Sequence, residues 1–220
     1  LRDRTIVVFT SDNGGFIGRC KLNPDLQVTS NAPLRSGKGS CYEGGIRVPM
    51  MIRGPNTMAN YECSEMVYTC DLYPTLLALA GVSDRIEQRL DGIDLSLLLT
   101  NRNASLERDT LYFHYPHYYS TTTPVSAIRE GDWKLLEYFE DGRLELYNLG
   151  NDLGETEDLS LSRQSLANRL REKLDGWRKS VDALLPERRH HPRSERRVRA
   201  SPAAPRLLLC HLRLHTRVVD

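Results

Sequence analysis

Asp12 and Asn13 set a carboxylate beside an amide oxygen, and Lys38 sets an ammonium between two glycines. Adjacent oxygen donors suit a hard cation such as calcium or magnesium. A cation and an ammonium held close together suit an anionic oxyester, because both can face oxygens of the transferring group. Arg35 and Arg47 add fixed positive charge near Lys38 in sequence, and Glu43 can balance one of them. Each feature also has an ordinary reading. Asp-Asn-Gly is common turn chemistry, and a glycine-rich connection can turn its charges to water. Gly37-Lys38-Gly39 is not a Walker phosphate loop, because its spacing and the missing strand-to-helix context do not fit.

The elements that must hold these side chains are legible around them. Thr5-Ile-Val-Val-Phe9 predicts a strand buried on both faces. It runs into Asp12 and Asn13, and Gly14-Gly15 permits a turn and close backbone approach. In open α/β sheets, ligands bind at the carboxyl ends of strands. Val48 to Arg53 predicts another strand, ended by Gly54-Pro55. Asp71 to Ala80 predicts a helix with Pro74 in its first turn and Gly81 as its stop. Tyr73, Leu76, Leu77 and Ala80 fall on one face of it, which predicts packing on the sheet.

The character changes over residues 105–150. Short strand-like runs at Thr110 to His114, Ser126 to Arg129, Trp133 to Phe139 and Leu144 to Tyr147 predict an antiparallel subdomain. Asp141-Gly142 between two of them is the strongest hairpin signal. Trp133 is expected to pack in its strand and Lys134 to carry surface charge. A helix follows, with Leu166, Leu170, Leu174, Trp177 and Val181 on one apolar face. His114-Tyr-Pro-His117-Tyr118-Tyr119 joins hydrogen-bonding tips to apolar rings. Such a cluster can grip a sugar or flank a leaving group; it can equally be a strand-to-loop segment packed on itself.

Five stretches together resemble the C-terminal half of the type I sulfatases, the family of arylsulfatases and glycan sulfatases. They are Ile6 to Gly15, Pro33 to Pro49, Thr69 to Gly81, Leu90 to Leu95 and Ala127 to Leu135, and the resemblance covers residues 1–185. It implies an alkaline-phosphatase-like α/β sandwich with a small antiparallel α+β subdomain. The divisions expected are 1–104 for the C-terminal part of the catalytic domain, 105–185 for the subdomain and its helix, and 186–220 for a tail. By resemblance, Asp12 and Asn13 bind calcium and Lys38 contacts the sulfate, while Arg47 holds the loop or sheet edge. His114 and His117 are weaker candidates for substrate binding, since the subdomain borders the cleft in that family.

The implied reaction is hydrolysis of a sulfate monoester, on a small molecule or a carbohydrate, by a formylglycine with calcium. That nucleophile is made from the first residue of Cys/Ser-x-Pro/Ala-x-Arg. None of the five cysteines, Cys20, Cys41, Cys63, Cys70 and Cys210, starts such a motif. The reading is therefore a fragment, inactive by itself, whose nucleophile and remaining calcium ligands lie elsewhere. A phosphodiester or phosphonate hydrolase of the same superfamily is the alternative enzyme, though no histidine precedes His114 to build a two-metal site. A non-catalytic truncated module is the alternative outside enzymes.

Composition narrows the rest. The 220 residues are 40% hydrophobic and 27% charged, ordinary for a domain with a core. No apolar run reaches the length of a membrane span, and periplasmic or secreted placement is an implication of the family only. Five irregularly spaced cysteines make neither a disulfide framework nor a zinc site. Cys63 and Cys70 read as two free buried thiols, or as a pair in an oxidising compartment. From Pro186 onward nine arginines face three acids, so the tail carries +6 while the whole chain is +1. With no interleaved aromatic residue and no motif, that segment reads as a disordered tail rather than a nucleic-acid site.

Overall fold

The computed structural model describes residues 4–23, 25–82 and 88–186. The chain divides into two units, Leu1–Pro186 and Glu187–Asp220. The arginine-rich tail belongs to the second and lies outside the described residues. The first unit is mixed α/β, with a two-stranded antiparallel ribbon and a four-stranded antiparallel sheet.

The ribbon pairs β1 (Val7–Thr10) with β2 (Met50–Arg53), Val7 opposite Arg53. Both strands fall where the apolar runs predict, but burial on both faces does not hold. Val7 is 50% exposed and Phe9 58%. Their neighbour across the ribbon, Met51, is exposed as well. A two-stranded ribbon alternates its side chains between two faces, and here one face stays open.

Helix α1 (Glu43–Ile46) is one short turn between the ribbon strands. Helix α2 (Leu72–Leu79) follows a 3-10 turn at Thr69–Asp71 and ends where Gly81 takes a left-handed φ of 73°. Its buried side is not the apolar one. Tyr73 is 52% exposed, and Leu76 and Ala80 are exposed too, while Pro74 and Thr75 are buried. A polar anchor decides the rotation. Buried Asp71 takes both guanidinium arms of Arg108, at 2.7 and 2.6 Å, and the backbone N–H groups of Tyr68 and Ile93. Thr75, one turn on, donates to the Asp71 carbonyl and accepts from Leu95 N–H. Leaving such buried groups unpaired costs more than exposing an apolar ring. Helix α3 (Ser96–Thr100) completes this half.

The sheet runs in sequence order, β3 (Thr110–Tyr115), β4 (Val125–Glu130), β5 (Trp133–Tyr138) and β6 (Leu144–Asn148). Gly142 adopts φ 72° in the β5–β6 turn, as the Asp-Gly signal requires. Alternation along the strands builds two cores. One face gathers Val125, Ala127, Leu136, Tyr138 and Tyr147 with Cys41 and Tyr42 of the upstream segment. The other gathers Ile128, Leu135 and Leu146 against α4 (Gln164–Ser180) through Ala167, Leu170 and Leu174. Tyr112 and Trp177 stack at 4.9 Å beside that second core. Val181 lies past the end of α4 and is exposed, so the apolar stripe stops at Trp177.

Lys134 departs furthest from expectation. It is fully buried, not a surface charge. Its place on β5 opposite Arg129 points it into the core facing the upstream segment, where two carboxylates meet it. Cys20, Cys41, Cys63 and Cys70 are free, and Cys63 and Cys70 are exposed rather than buried. No helix among the described residues is long and apolar enough to cross a membrane.

Candidate functional site

Two segments distant in sequence lie against each other: the turn Asp12–Gly15 after β1 and the loop Gly37–Gly39. Gly14 N–H donates to the Gly45 carbonyl at 2.9 Å, and Lys38 N–H to the Gly15 carbonyl at 3.1 Å. The approach needs glycine. A Cβ on Gly14 would sit 1.7 Å from the Gly44 carbonyl oxygen, and one on Gly37 would sit 2.4 Å from the Gly15 oxygen. Asn31 spans the junction. Its Oδ1 accepts from Gly15 N–H at 3.0 Å, and its Nδ2 donates to the Gly15 and Ser36 carbonyls at 2.9 and 3.0 Å.

The chemistry-bearing side chains of these segments are left available. Asp12 and Lys38 are exposed and Asn13 is half-buried. None of the three makes a side-chain hydrogen bond or ion pair to another described residue. Both Asp12 and Asn13 carry a side-chain oxygen that could serve a hard cation, of which calcium takes about six to eight. Among the described residues no group of three or more His, Cys, Asp or Glu side chains converges on a metal position. Nothing in the sequence singles out the Asn31 bridge. An asparagine before Ala-Pro reads as local turn chemistry, and nothing in its spacing marks a partner sixteen residues away.

A buried polar network holds the loop from behind. Lys134 Nζ lies 2.9 Å from Glu43 Oε1 and 2.8 Å from Glu155 Oε1. Glu43 also meets Arg47 Nε at 2.6 Å, so Arg47 steadies α1. Glu43 N–H donates to Glu155 Oε2 at 2.7 Å. Burial works to raise the Glu43 carboxyl, but Lys134 and then Arg47 outweigh it and hold it below the usual carboxylate range. For Glu155, burial prevails over the pull of Lys134 and the carboxyl is pushed up. Arg35 lies 4.0 Å above the Tyr42 ring and donates to Tyr147 Oη and the Glu155 carbonyl, each at 2.8 Å.

Glu145 collects the phenols. Tyr42 Oη donates to it at 2.6 Å and Tyr147 Oη at 2.8 Å, while Tyr138 Oη donates to Tyr42 Oη at 2.9 Å. Arg143 pairs with the other Glu145 oxygen. Burial and the carboxylate push Tyr42 and Tyr147 far up, so both stay protonated donors. Burial likewise raises the Cys41 thiol to about 11, which makes it a structural group and not a nucleophile at neutral pH.

The loop after β3 closes on the lysine. Thr121 Oγ1 donates to the Lys38 carbonyl at 2.8 Å, and the Tyr119 ring lies over Gly39, whose Cβ would fall 2.1 Å from it. Tyr118 and His117 are exposed on the same loop. His117 faces the Tyr115 ring edge-on at 5.5 Å. His114 points the other way. Its two ring nitrogens reach Ser126 Oγ at 2.7 Å and the Leu184 carbonyl at 2.8 Å, which ties β3 to the chain beyond α4.

The serine form of the nucleophile motif is spelled once in the chain, at Ser165-Leu166-Ala167-Asn168-Arg169. The motif is therefore present as a string. The fold separates it from the site. Ser165 stands in the first turn of α4, with Ala167 buried in the core on the α4 face of the sheet. Cys41 and Tyr42, which follow the lysine loop, pack on the opposite face.

The family model for the C-terminal part of N-sulphoglucosamine sulphohydrolase matches residues 37–180, beginning one residue before Lys38. A sulfatase of Formosa agariphila is 37% identical over 194 residues, covering 80% of this chain and 33% of its own length. Human arylsulfatase A is 38% identical over 142 residues, covering 64% and 26%. The crystal structure of Ps i-CgsB in complex with k-i-k-neocarrahexaose superimposes with a TM-score of 0.64 at 35% identity, covering 80% of this chain and 37% of that one. The fold is accordingly the C-terminal part of the alkaline-phosphatase-like α/β architecture of such structures. The chain spans only about a quarter to a third of the length of these curated relatives.

Proposed function

Because this chain belongs to the sulfatase family, matching its C-terminal portion, we propose that it supplies part of an active site that hydrolyses a sulfate monoester. The nucleophile and the remaining metal ligands come from chain outside these 220 residues. One observation carries this reading. Asp12, Asn13 and Lys38 are free of protein partners among the described residues, and their segments are bonded into one junction. Oxygen donors for a cation and an exposed ammonium would then be available to one small anion. Calcium, when bound, would neutralise non-bridging sulfate oxygens and orient the ester. Asp12 would hold it with charge and Asn13 with a carbonyl oxygen.

Lys38 would donate to a sulfate oxygen as charge grows there, the bridging oxygen included as it leaves. The Tyr119 loop would limit water on the lysine side, and His117 at its rim would face the departing alcohol. His114, with both ring nitrogens engaged, would act by holding β3 in place. The carbohydrate in the Ps i-CgsB structure favours a sulfated sugar over an aryl ester as substrate.

Two results are expected. The purified 220-residue chain hydrolyses 4-nitrophenyl sulfate no faster than buffer, with or without calcium, because charge stabilisation without a nucleophile leaves only residual catalysis. Calcium-dependent turnover well above buffer would place a nucleophile inside this chain and overturn the division of labour. In an active sulfatase that contains the chain, Asp12→Ala weakens calcium binding at least about tenfold, since a charged ligand is lost from the shell. Calorimetric calcium titration checks it, with the melting temperature in calcium-free buffer unchanged. Equal calcium affinity in the variant would put the cation elsewhere.

A further inference from the structure

We propose that Asn31 is a positioning residue that sets the distance between the cation ligands and Lys38, so that both reach one sulfate. The proposal rests on the sulfatase reading above. Asn31 commits three of the four hydrogen bonds its amide can make to the junction, with one acceptance and two donations. The orientation of the amide is dictated by its partners. Gly15 N–H can only donate, and the Gly15 and Ser36 carbonyls can only accept, so the flipped amide would oppose all three.

The Gly15 carbonyl is the shared point. It accepts from Asn31 Nδ2 at 2.9 Å and from Lys38 N–H at 3.1 Å. The metal turn and the lysine loop therefore meet on one oxygen, and Asn31 fixes that oxygen from a third segment. Between Gly15 and Asn31 the chain makes an excursion closed by the Arg19–Gln27 bridge, with Cys20 N–H on the Leu26 carbonyl at 2.8 Å. The excursion leaves the turn at Gly15 and returns at Asn31. The Asn31 bonds join its two ends directly, beside the hairpin and the Lys38 N–H on the Gly15 carbonyl. Gly37 tightens the same contact, since a Cβ there would lie 2.4 Å from the Gly15 oxygen and 2.7 Å from Asn31 Nδ2.

A residue that sets the distance between two ligand groups controls their linkage. Two ions that share the sulfate and cation positions should each tighten the other, and reciprocally. The test is nuclear magnetic resonance titration of an active sulfatase that contains the chain with calcium chloride and with sodium sulfate, each alone and with the other present below the solubility limit of calcium sulfate. In the wild type, calcium is expected to shift the Asp12–Gly15 amides and sulfate the Lys38 and Gly39 amides. Each ion should tighten the other by about tenfold, within the usual range of site coupling. In Asn31→Ala each ion still shifts its own segment, but the mutual tightening falls to within about twofold. Gly37→Ala, which forces the junction apart, gives the same loss.

Linkage retained in Asn31→Ala overturns the positioning role and leaves the sulfatase reading standing. Absence of linkage in the wild type overturns that reading and the proposal with it. Should both variants fail to fold, wild-type hydrogen exchange decides. Gly15 and Lys38 amides are expected to open together with one free energy. Independent opening of the two overturns the proposal.

Discussion

Lys134→Met is expected to destabilise the fold by about 3–5 kcal/mol, the usual cost of removing one partner from a buried ion pair. Lys134 is fully buried between Glu43 and Glu155, and both carboxylates are buried with it. Methionine fills much of the lysine volume, so the loss isolates charge from packing. After the change Glu43 keeps Arg47, while Glu155 keeps the Glu43 N–H and no cation. The pH dependence identifies the cause. In the wild type, Glu43 is held low by Lys134 and Arg47 against the opposing push of burial. Its contribution is present above the ordinary carboxylate range and lost as pH falls through the lowered value. Glu155, pushed up, contributes in the opposite sense, favouring lower pH.

Without Lys134 both carboxyls are driven toward the protonated form, so the variant's deficit should shrink between pH 7.5 and pH 5. Urea unfolding at the two pH values measures it. Adding Glu43→Gln and Glu155→Gln to Lys134→Met should restore most of the stability. An equal deficit at both pH values would mean that lost packing, and not unpaired charge, accounts for it.

Lys38→Ala is expected to lower kcat/KM by about one to two decades in an active sulfatase containing this chain. A hydrogen bond from a charged donor is worth about 1.5–3 kcal/mol, and here it would act mostly in the transition state. Stability should hardly change, because the Lys38 side chain is exposed and holds no described residue. Lys38→Arg should fail as well, since a planar guanidinium cannot put a point charge on the same oxygen. Kinetics and melting temperature of the three proteins separate the cases. Near-normal kcat/KM in Lys38→Ala, or activity lost only through unfolding, would make Lys38 an ordinary loop residue.

The two experiments bear on opposite sides of what sequence can express. The four-stranded sheet was legible because its signals are local. Alternation marks the strands, Asp141-Gly142 marks a turn, and Leu170 and Leu174 recur at helical spacing on α4. The candidate residues Asp12, Asn13 and Lys38 were legible as types with glycines beside them. Their meeting was not, because it depends on Asn31, whose partners are set by tertiary contact.

The burial of Lys134 is hidden from the sequence for a related reason. A lysine in a strand reads as a surface charge until Glu43 and Glu155, from two distant segments, are seen to surround it. The rotation of α2 failed similarly, since Arg108 binds Asp71 from thirty-seven residues away and overrides the apolar face. Val7 and Phe9 stay exposed because a two-stranded ribbon leaves one of its faces open, which the strand pattern alone does not reveal.

The most direct measurement is a crystal structure of an active sulfatase that contains the chain, grown with calcium and sulfate, with calcium located by its anomalous signal. The expected result is a calcium ion about 2.3–2.6 Å from side-chain oxygens of Asp12 and Asn13, with a sulfate against it that accepts from Lys38 Nζ at about 2.7–2.9 Å. A calcium ion bound away from Asp12 and Asn13, or a sulfate that ignores Lys38, would contradict the assignment of this junction as part of a sulfatase active site.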